Sequence, residues 1–191
     1  MWWFEVDRPS LVLGSAQPEA SVDLEQCAQA GVEVVRRRSG GGSVLMIPDE
    51  IVWVDIVIPA DDPLVDADVG RSMWWVGDLW SRALTSLGVE GVEVHRGPLQ
   101  STAWSRLVCF DGVGPGEVLV EGRKAVGVSQ RRTRSWSRIQ TAVHRQWRGG
   151  LVESLIRDTG AKEGPATPWV LATAVTPSDL RSALVDALGA W

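Results

Sequence analysis

The chain has 191 residues, 45% of them hydrophobic, and a formal net charge of −5. That content supports a folded core and excludes a disordered chain, while the acidic balance counts against a general nucleic-acid binder. No apolar run is long enough for a transmembrane helix, MWWFEVDRPS has no basic signal region, and two cysteines make no disulfide framework, so a reduced, cytoplasmic protein is expected.

In chain order, WWFEV and SLVLGS read as short strands. SVDLEQCAQAG reads as a helix, with Ser21 as its N-cap and Gly31 as its stop. VEVVRRR is a strand entering a glycine-rich loop, and SVLMIPDEIVWVDIVIP reads as a hairpin turning at Pro48-Asp49-Glu50. Val69, Met73, Val76, Trp80, Ala83 or Leu84, and Leu87 recur at helical spacing, with Asp66 or Asp68 as the cap and Gly88 as the end. GVEVH, SRLVCF, EVLVEG and KAVGVSQ read as strands, the last two joined by a two-residue turn at Glu121-Gly122. SRIQTAVHRQW fits helix or strand, and GGLVESLIRDTG fits a short helix. TPSDLRSALVDALGAW fits a helix with Thr176 as N-cap and Pro177 in its first turn. Strands in hairpin groups, interrupted by a few helices, point to an α+β domain on a mainly antiparallel sheet.

Positive charge is written as Arg 17 times and as Lys only twice, at Lys124 and Lys162. Arg is a planar fork, whereas Lys is a flexible point charge that can follow an oxygen at a reacting centre. The basic residues gather in two segments, Arg36 to Arg38 and the acid-free stretch from Gly122 to Val152. They could meet an anionic ligand or an acidic partner, or form a solvated face; Trp136 and Trp147 among the arginines also raise a nucleic-acid surface, against which the overall acidity counts. In VVRRRSGGGSVL, three glycines between strands permit positive φ and leave N–H groups uncovered, suited to wrapping an anion or to serving as a plain hairpin loop. No Walker lysine follows, and a strand rather than a helix comes next. His95, His144, Cys27 and Cys109 show no metal-ligand spacing, so no metal site is expected.

VVRRRSGGGSV, followed about eighty residues later by EVLVEGRKAVGVSQRRTR, resembles the lipoate–protein ligase A branch of the biotin/lipoate ligase family, as does LVLGSAQ near the start. The resemblance covers roughly Trp2 to Leu155. It implies an α+β fold, a mainly antiparallel sheet flanked by helices, of the class II aminoacyl-tRNA synthetase/biotin synthetase-like type. It also implies attachment of lipoate or octanoate, through an acyl-adenylate made with ATP and Mg²⁺, to a lysine of a carrier. The carrier would be the lipoyl domain of an E2 subunit or the glycine-cleavage H protein. By resemblance, Arg37, Ser39, Gly40, Gly41, Gly42, Ser43, Val44 and Leu45 would line the acyl-adenylate, and Lys124 would contact the acyl carbonyl.

Three features depart from that pattern. Met46 and Ile47 stand where many members have His followed by Asp. The sequence ends at Trp191, which implies a single catalytic domain over residues 1–191 without the C-terminal accessory domain, hence a separate accessory subunit or a reaction without ATP. The first strand begins almost at Met1, without the extra N-terminal element of longer members. The family's octanoyltransferase branches carry the acyl group on a cysteine, and Cys109 in LVCFDG lies fifteen residues before Lys124. A Cys109-dependent transfer from acyl carrier protein is therefore the alternative, with a buried, inert Cys109 and a non-catalytic lipoyl- or carrier-binding member as the plainer ones.

Overall fold

A computed structural model describes residues 1–157 and 163–190; Lys162, the end of GGLVESLIRDTG and Trp191 lie outside the described residues. In order the elements are β1 (Trp2–Phe4), β2 (Ser10–Leu13), α1 (Leu24–Gln29), β3 (Glu33–Arg36), β4 (Val44–Met46), β5 (Ile51–Pro59) and α2 (Trp74–Ser86). They continue with β6 (Val92–Val94), β7 (Val118–Val120), β8 (Arg123–Arg132), β9 (Trp136–His144), α3 (Gly149–Leu155) and α4 (Pro177–Gly189). The stretch that fitted helix or strand is the strand β9.

Local chemistry sets the ends of these elements. Asp23, not Ser21, caps α1: its carboxylate accepts the N–H groups of Glu25 and Gln26, while the Ser21 hydroxyl donates to Pro18 O at 2.6 Å. A 3₁₀ turn at Arg71–Met73 leads into α2, and Asp68 accepts the Arg71 N–H at 2.9 Å. At α4, Thr176 and Asp179 form a reciprocal capping box, with Pro177 at the first turn as expected.

The strands form two sheets. Six run in the order β1-β5-β9-β8-β7-β6, antiparallel throughout, and three in the order β3-β2-β4, with β2 and β3 parallel. The expected β4–β5 hairpin is not formed. β4 pairs with β2 in the small sheet, and β5 pairs with β1 and β9 in the large one. The bend at Asp49 (φ 63°) carries the chain from one sheet to the other, and both strands find their partners far away in sequence.

Strand alternation gives the large sheet two unlike faces. Val52, Val54, Ile56, Val126, Val128, Ile139 and Val143 pack on one face against Trp75, Leu79, Trp80 and Leu84 of α2 and Leu180 and Leu184 of α4. The other face pairs Trp53 and Gly127 with Ala142, and Asp55 and Ser129 with Gln140. The small sheet packs its own core against α1 and α3, built on Leu11, Leu13, Cys27, Leu45, Trp104, Val108 and Leu155. The architecture is α+β, as the strand grouping implied.

Candidate active site

The glycine-rich turn between β3 and β4 is held from inside. Arg37 donates from Nη1 to Val12 O (3.1 Å) and from Nη2 to Gly40 O (2.7 Å) and Gly42 O (2.8 Å). Gly41 has φ 95°, open to glycine and strained for other residues. A Cβ on Gly42 would lie 2.7 Å from Val108 N, so only glycine lets the turn press on that neighbour. The contact is then stitched. Ser43 donates to Leu107 O from its N–H (2.7 Å) and its hydroxyl (2.6 Å), and Cys109 N–H donates back to Ser43 O (2.9 Å). The Ser39 hydroxyl fastens the turn to the large sheet through Gln140 Oε1 at 2.7 Å.

SRLVCF, expected as a strand, is a single bridge at Val108 followed by a 3₁₀ turn over Cys109–Asp111. Buried Asp111 fixes that turn by accepting from the Thr102 hydroxyl and the Ala166 N–H. Cys109 is thereby lifted out of regular pairing and is half-buried, with its Sγ 3.6 Å from where a Gly41 Cβ would stand. The other thiol, Cys27, sits in the small-sheet core, and burial pushes its pKa up.

Between the sheets lies a cavity of about 530 Å³, including the space at its open mouth. Val12, Val44 and Met46 come from the small sheet, Trp53, Gly127, Ser129, Gln140 and Ala142 from the large one, and Cys109, Phe110 and Arg37 stand at its walls. Met46 adds an apolar wall. Among the described residues, Trp53 is the one tryptophan in that lining. Leu45 turns the other way, into the small-sheet core. Gly127 and Ala142 face each other across β8 and β9; the Phe110 ring takes the space at Gly127, and Ala142 adds only a methyl group to the floor beside it, which suits a narrow unbranched chain. Below the rim, Asp55 is fully buried, accepts from Trp53 Nε1 (2.6 Å) and pairs with Arg138; burial still raises its pKa.

Lys124 is not on the cavity wall. Its ammonium has three bonded partners: Cys109 O (2.6 Å), Gly112 O (3.0 Å) and Glu117 Oε1 (2.6 Å). Its side chain is 3% exposed and that of Glu117 6%. Glu117 also accepts the N–H groups of Gly114 (2.7 Å) and Val128 (3.2 Å), so one carboxylate ties three segments together. A β-bulge aims the lysine. Val118 pairs with Val126 but Leu119 with Lys124, leaving Ala125 extra. Ala125 and Val126 both pack in the helix-side core, while Lys124 Cε lies 3.6 Å from the Cβ position of Gly127 on the cavity side. The type of turn preceding it is as expected, with Glu121 (φ 52°) and Gly122 (φ 73°) both left-handed.

Phe110 is the partition between cavity and ammonium. Its ring rests where Gly127 has no Cβ, 5.3 Å from Lys124 Nζ and edge-on to His144 at 4.4 Å. His144 is buried, with Nε2 unpartnered among the described residues. Burial, and then the Lys124 charge, lower its pKa from 6.5 to about 3, so the ring is neutral. It lines a different, small hollow, and no partner places it as a base for Cys109. Among the described residues no group of three or more His, Cys, Asp or Glu could hold a metal ion, and no helix is long and apolar enough to cross a membrane.

Residues 1–149 match the family described as the lipoyl protein ligase A/B catalytic domain. The chain belongs to that family. Among its relatives, the octanoyltransferase LipM of Carboxydothermus hydrogenoformans is 35% identical over 124 residues, which are 64% of this chain and 44% of the relative. That of Clostridioides difficile is 28% identical over 114 residues, 60% of this chain and 41% of the relative. The matches thus span less than half the length of these curated relatives. Two solved structures share the fold. One is a T. acidophilum protein assigned as a lipoate protein ligase, with bound lipoic acid: TM-score 0.73, 16% identity, 98% of this chain and 70% of that one. The other is lipoate-protein ligase A bound with ATP: TM-score 0.68, 18% identity, 96% and 68%. Within this lipoyl ligase fold, sequence reasoning missed Glu117, Phe110 and Gly127. Glu117 alone had a signal, an acid seven residues before Lys124 across a two-residue turn.

Proposed function

We propose that this protein transfers an octanoyl or lipoyl group, through a thioester on Cys109, to a lysine of a lipoyl carrier domain such as that of an E2 subunit or a glycine-cleavage H protein. One observation carries this reading. The Cys109 sulfur stands at the wall of the apolar cavity beside the glycine turn, whereas the Lys124 ammonium is enclosed behind Phe110. Names of relatives add support, since the matched ones are octanoyltransferases.

The chemistry follows from the positions. The Cys109 thiolate attacks the carbonyl of a donor thioester; a new C–S bond forms, the donor C–S bond breaks, and the donor thiol leaves carrying the Cys109 proton. The carrier lysine amine then attacks the Cys109 thioester; a C–N bond forms, the C–S bond breaks, and a proton lost by the amine nitrogen restores the Cys109 thiol. Both steps pass through an oxyanion. The N–H groups of Gly41 and Gly42, which have no acceptor among the described residues and belong to the turn against Cys109, are the backbone donors we assign to it. Lys124 holds the cysteine turn by its carbonyls, so its part is to fix Cys109 in place. No ATP is consumed on this route, and a free thiol at the centre fits a reducing cytoplasm.

Incubation with an octanoyl thioester should add one octanoyl group to the intact mass, on Cys109, and the loaded protein should then acylate a lipoyl domain without ATP. Cys109→Ser should lose both reactions by at least about a thousandfold. Acylation that needs ATP with Mg²⁺ and survives in Cys109→Ser would establish the adenylate route instead; binding of the carrier without transfer by either route would mark a non-catalytic member.

A further inference from the structure

Two segments of the sequence concentrate arginine, and the fold brings part of one beside the other. Arg131, from the second segment, joins Arg36, Arg37 and Arg38 of the first, with Ser15, around an open hollow. Arg37 lines both this hollow and the acyl cavity, so the two adjoin at that side chain. Among the described residues no Asp or Glu lines the hollow. Arg36 is fixed at the rim by Nη1 bonds to Gly14 O (2.8 Å) and Gln17 O (2.5 Å). Arg38 and Arg131 enter no ion pair among the described residues, and Arg131 lies 5.6 Å over the Trp136 ring. Guanidinium forks with free donors, gathered without a carboxylate, match a phosphate.

We infer that this hollow binds the phosphate of a phosphopantetheine-type thioester donor whose acyl group enters the cavity. The inference rests on the Cys109 thioester reading. Reach supports it. Gly127, beside the cysteine turn, and Arg131 lie on one face of β8 four residues apart, about 13–14 Å along an antiparallel strand. A pantetheine arm has roughly the backbone length of four extended residues, which span about the same distance. An acyl-adenylate places its phosphorus one oxygen from the acyl carbonyl, so that phosphate would stay at Cys109 and not reach Arg131. Coenzyme A and a carrier protein both present such an arm, and the hollow recognises what they share.

The test compares octanoyl-pantetheine with octanoyl-4′-phosphopantetheine as acyl donors to Cys109, read by intact mass and by kcat and KM. The phosphorylated donor should show a KM lower by roughly tenfold, an advantage that fades with added salt. Arg38→Gln with Arg131→Gln should bring the two KM values together. Octanoyl-coenzyme A and an octanoylated acyl carrier protein, run in parallel, identify the source: the natural donor is the one whose KM rises most in the double variant. Equal KM values for the two small donors in the parent protein would overturn the phosphate assignment while leaving Cys109 chemistry standing. Absence of any Cys109 acylation would overturn the thioester reading itself, and the donor site with it. A double variant that loses only ATP-dependent acylation would reassign the hollow to a nucleotide.

Discussion

The large sheet presents one face to α2 and α4 and the other to the small sheet, and the same strands build both. Under the helices the inward positions are mostly aliphatic or aromatic, Trp80, Leu79 and Leu84 being fully buried there, and the buried Thr141 hydroxyl is bonded back to Val54 O. Facing the small sheet, the alternate positions of β5, β8 and β9 are Trp, Asp, Gly, Ser, Gln and Ala, with Asp55 buried and a cavity left between. Adjacent residues of one strand thus serve different ends. Close packing on one side makes the sheet rigid, and on the other side rigidity keeps open a space that packing alone would fill.

That contrast predicts where substitutions act. Cys109→Ser has the largest effect, an activity loss of at least about a thousandfold. It should leave the midpoint of chemical denaturation almost unchanged, because the half-buried thiol supports no core contact. A large drop in stability would show that the cavity face is structural after all. Lys124→Met tests the exception, a buried ion pair on the working side. Leaving Glu117 without its cation should cost about 3–5 kcal/mol in urea unfolding, and removing both charges in a Glu117→Leu, Lys124→Met pair should recover part of it. Lys124→Arg should not restore activity, since a planar fork cannot meet three acceptors set around an ammonium. Leu79→Ala, on the helix face, should cost about 2–5 kcal/mol and leave kcat near the parent value at a temperature where the protein stays folded.

His144→Phe should produce the smallest change, and a pH-dependent one. The folded protein holds this ring neutral down to about 3, whereas the unfolded chain takes up a proton near 6.5. Protonation therefore favours unfolding inside that window, and the contribution to stability is complete above 6.5 and falls as the pH drops toward 3. The limiting slope is about 1.4 kcal/mol per pH unit. Unfolding free energies measured from pH 4.5 to 7 should be less steep in the Phe variant by up to that amount. An identical slope would mean the ring is not buried neutral beside Phe110, Trp147 and the Lys124 ammonium.

The helix face was readable from sequence because its signals are local. The spacing of Val76, Trp80 and Leu87 marks α2, Thr176 and Pro177 mark the start of α4, and Glu121-Gly122 marks the β7–β8 turn. The three glycines of the turn at Gly40–Gly42 were readable for the same reason. The partners of β4 and β5 were not, because an alternating apolar strand carries the same pattern whether it pairs with its neighbour or with a strand ninety residues away. Cys109 looked like strand because LVCF is apolar; what breaks the strand is Asp111 bonding to Thr102 and to Ala166, a contact that spans 55 residues. Arg37 was expected to face a ligand anion, and most of its donors instead brace the backbone of the turn. Enclosure of Lys124 by Glu117 required knowing that the strand is irregular just beside it.

That irregularity has a wider consequence. Because the side to which a strand residue points depends on counting, the bulge at Ala125 lets Lys124 and Val126, two residues apart, face opposite sides of the sheet. Pair that stretch regularly with Ala125 still in it, every functional side chain present, and Lys124 would share the face of Val126, its charge directed beneath α2 among leucines. In this region a frame of one amino acid, and not chemical identity, separates a centre able to hold its cysteine from a charge stranded in oil.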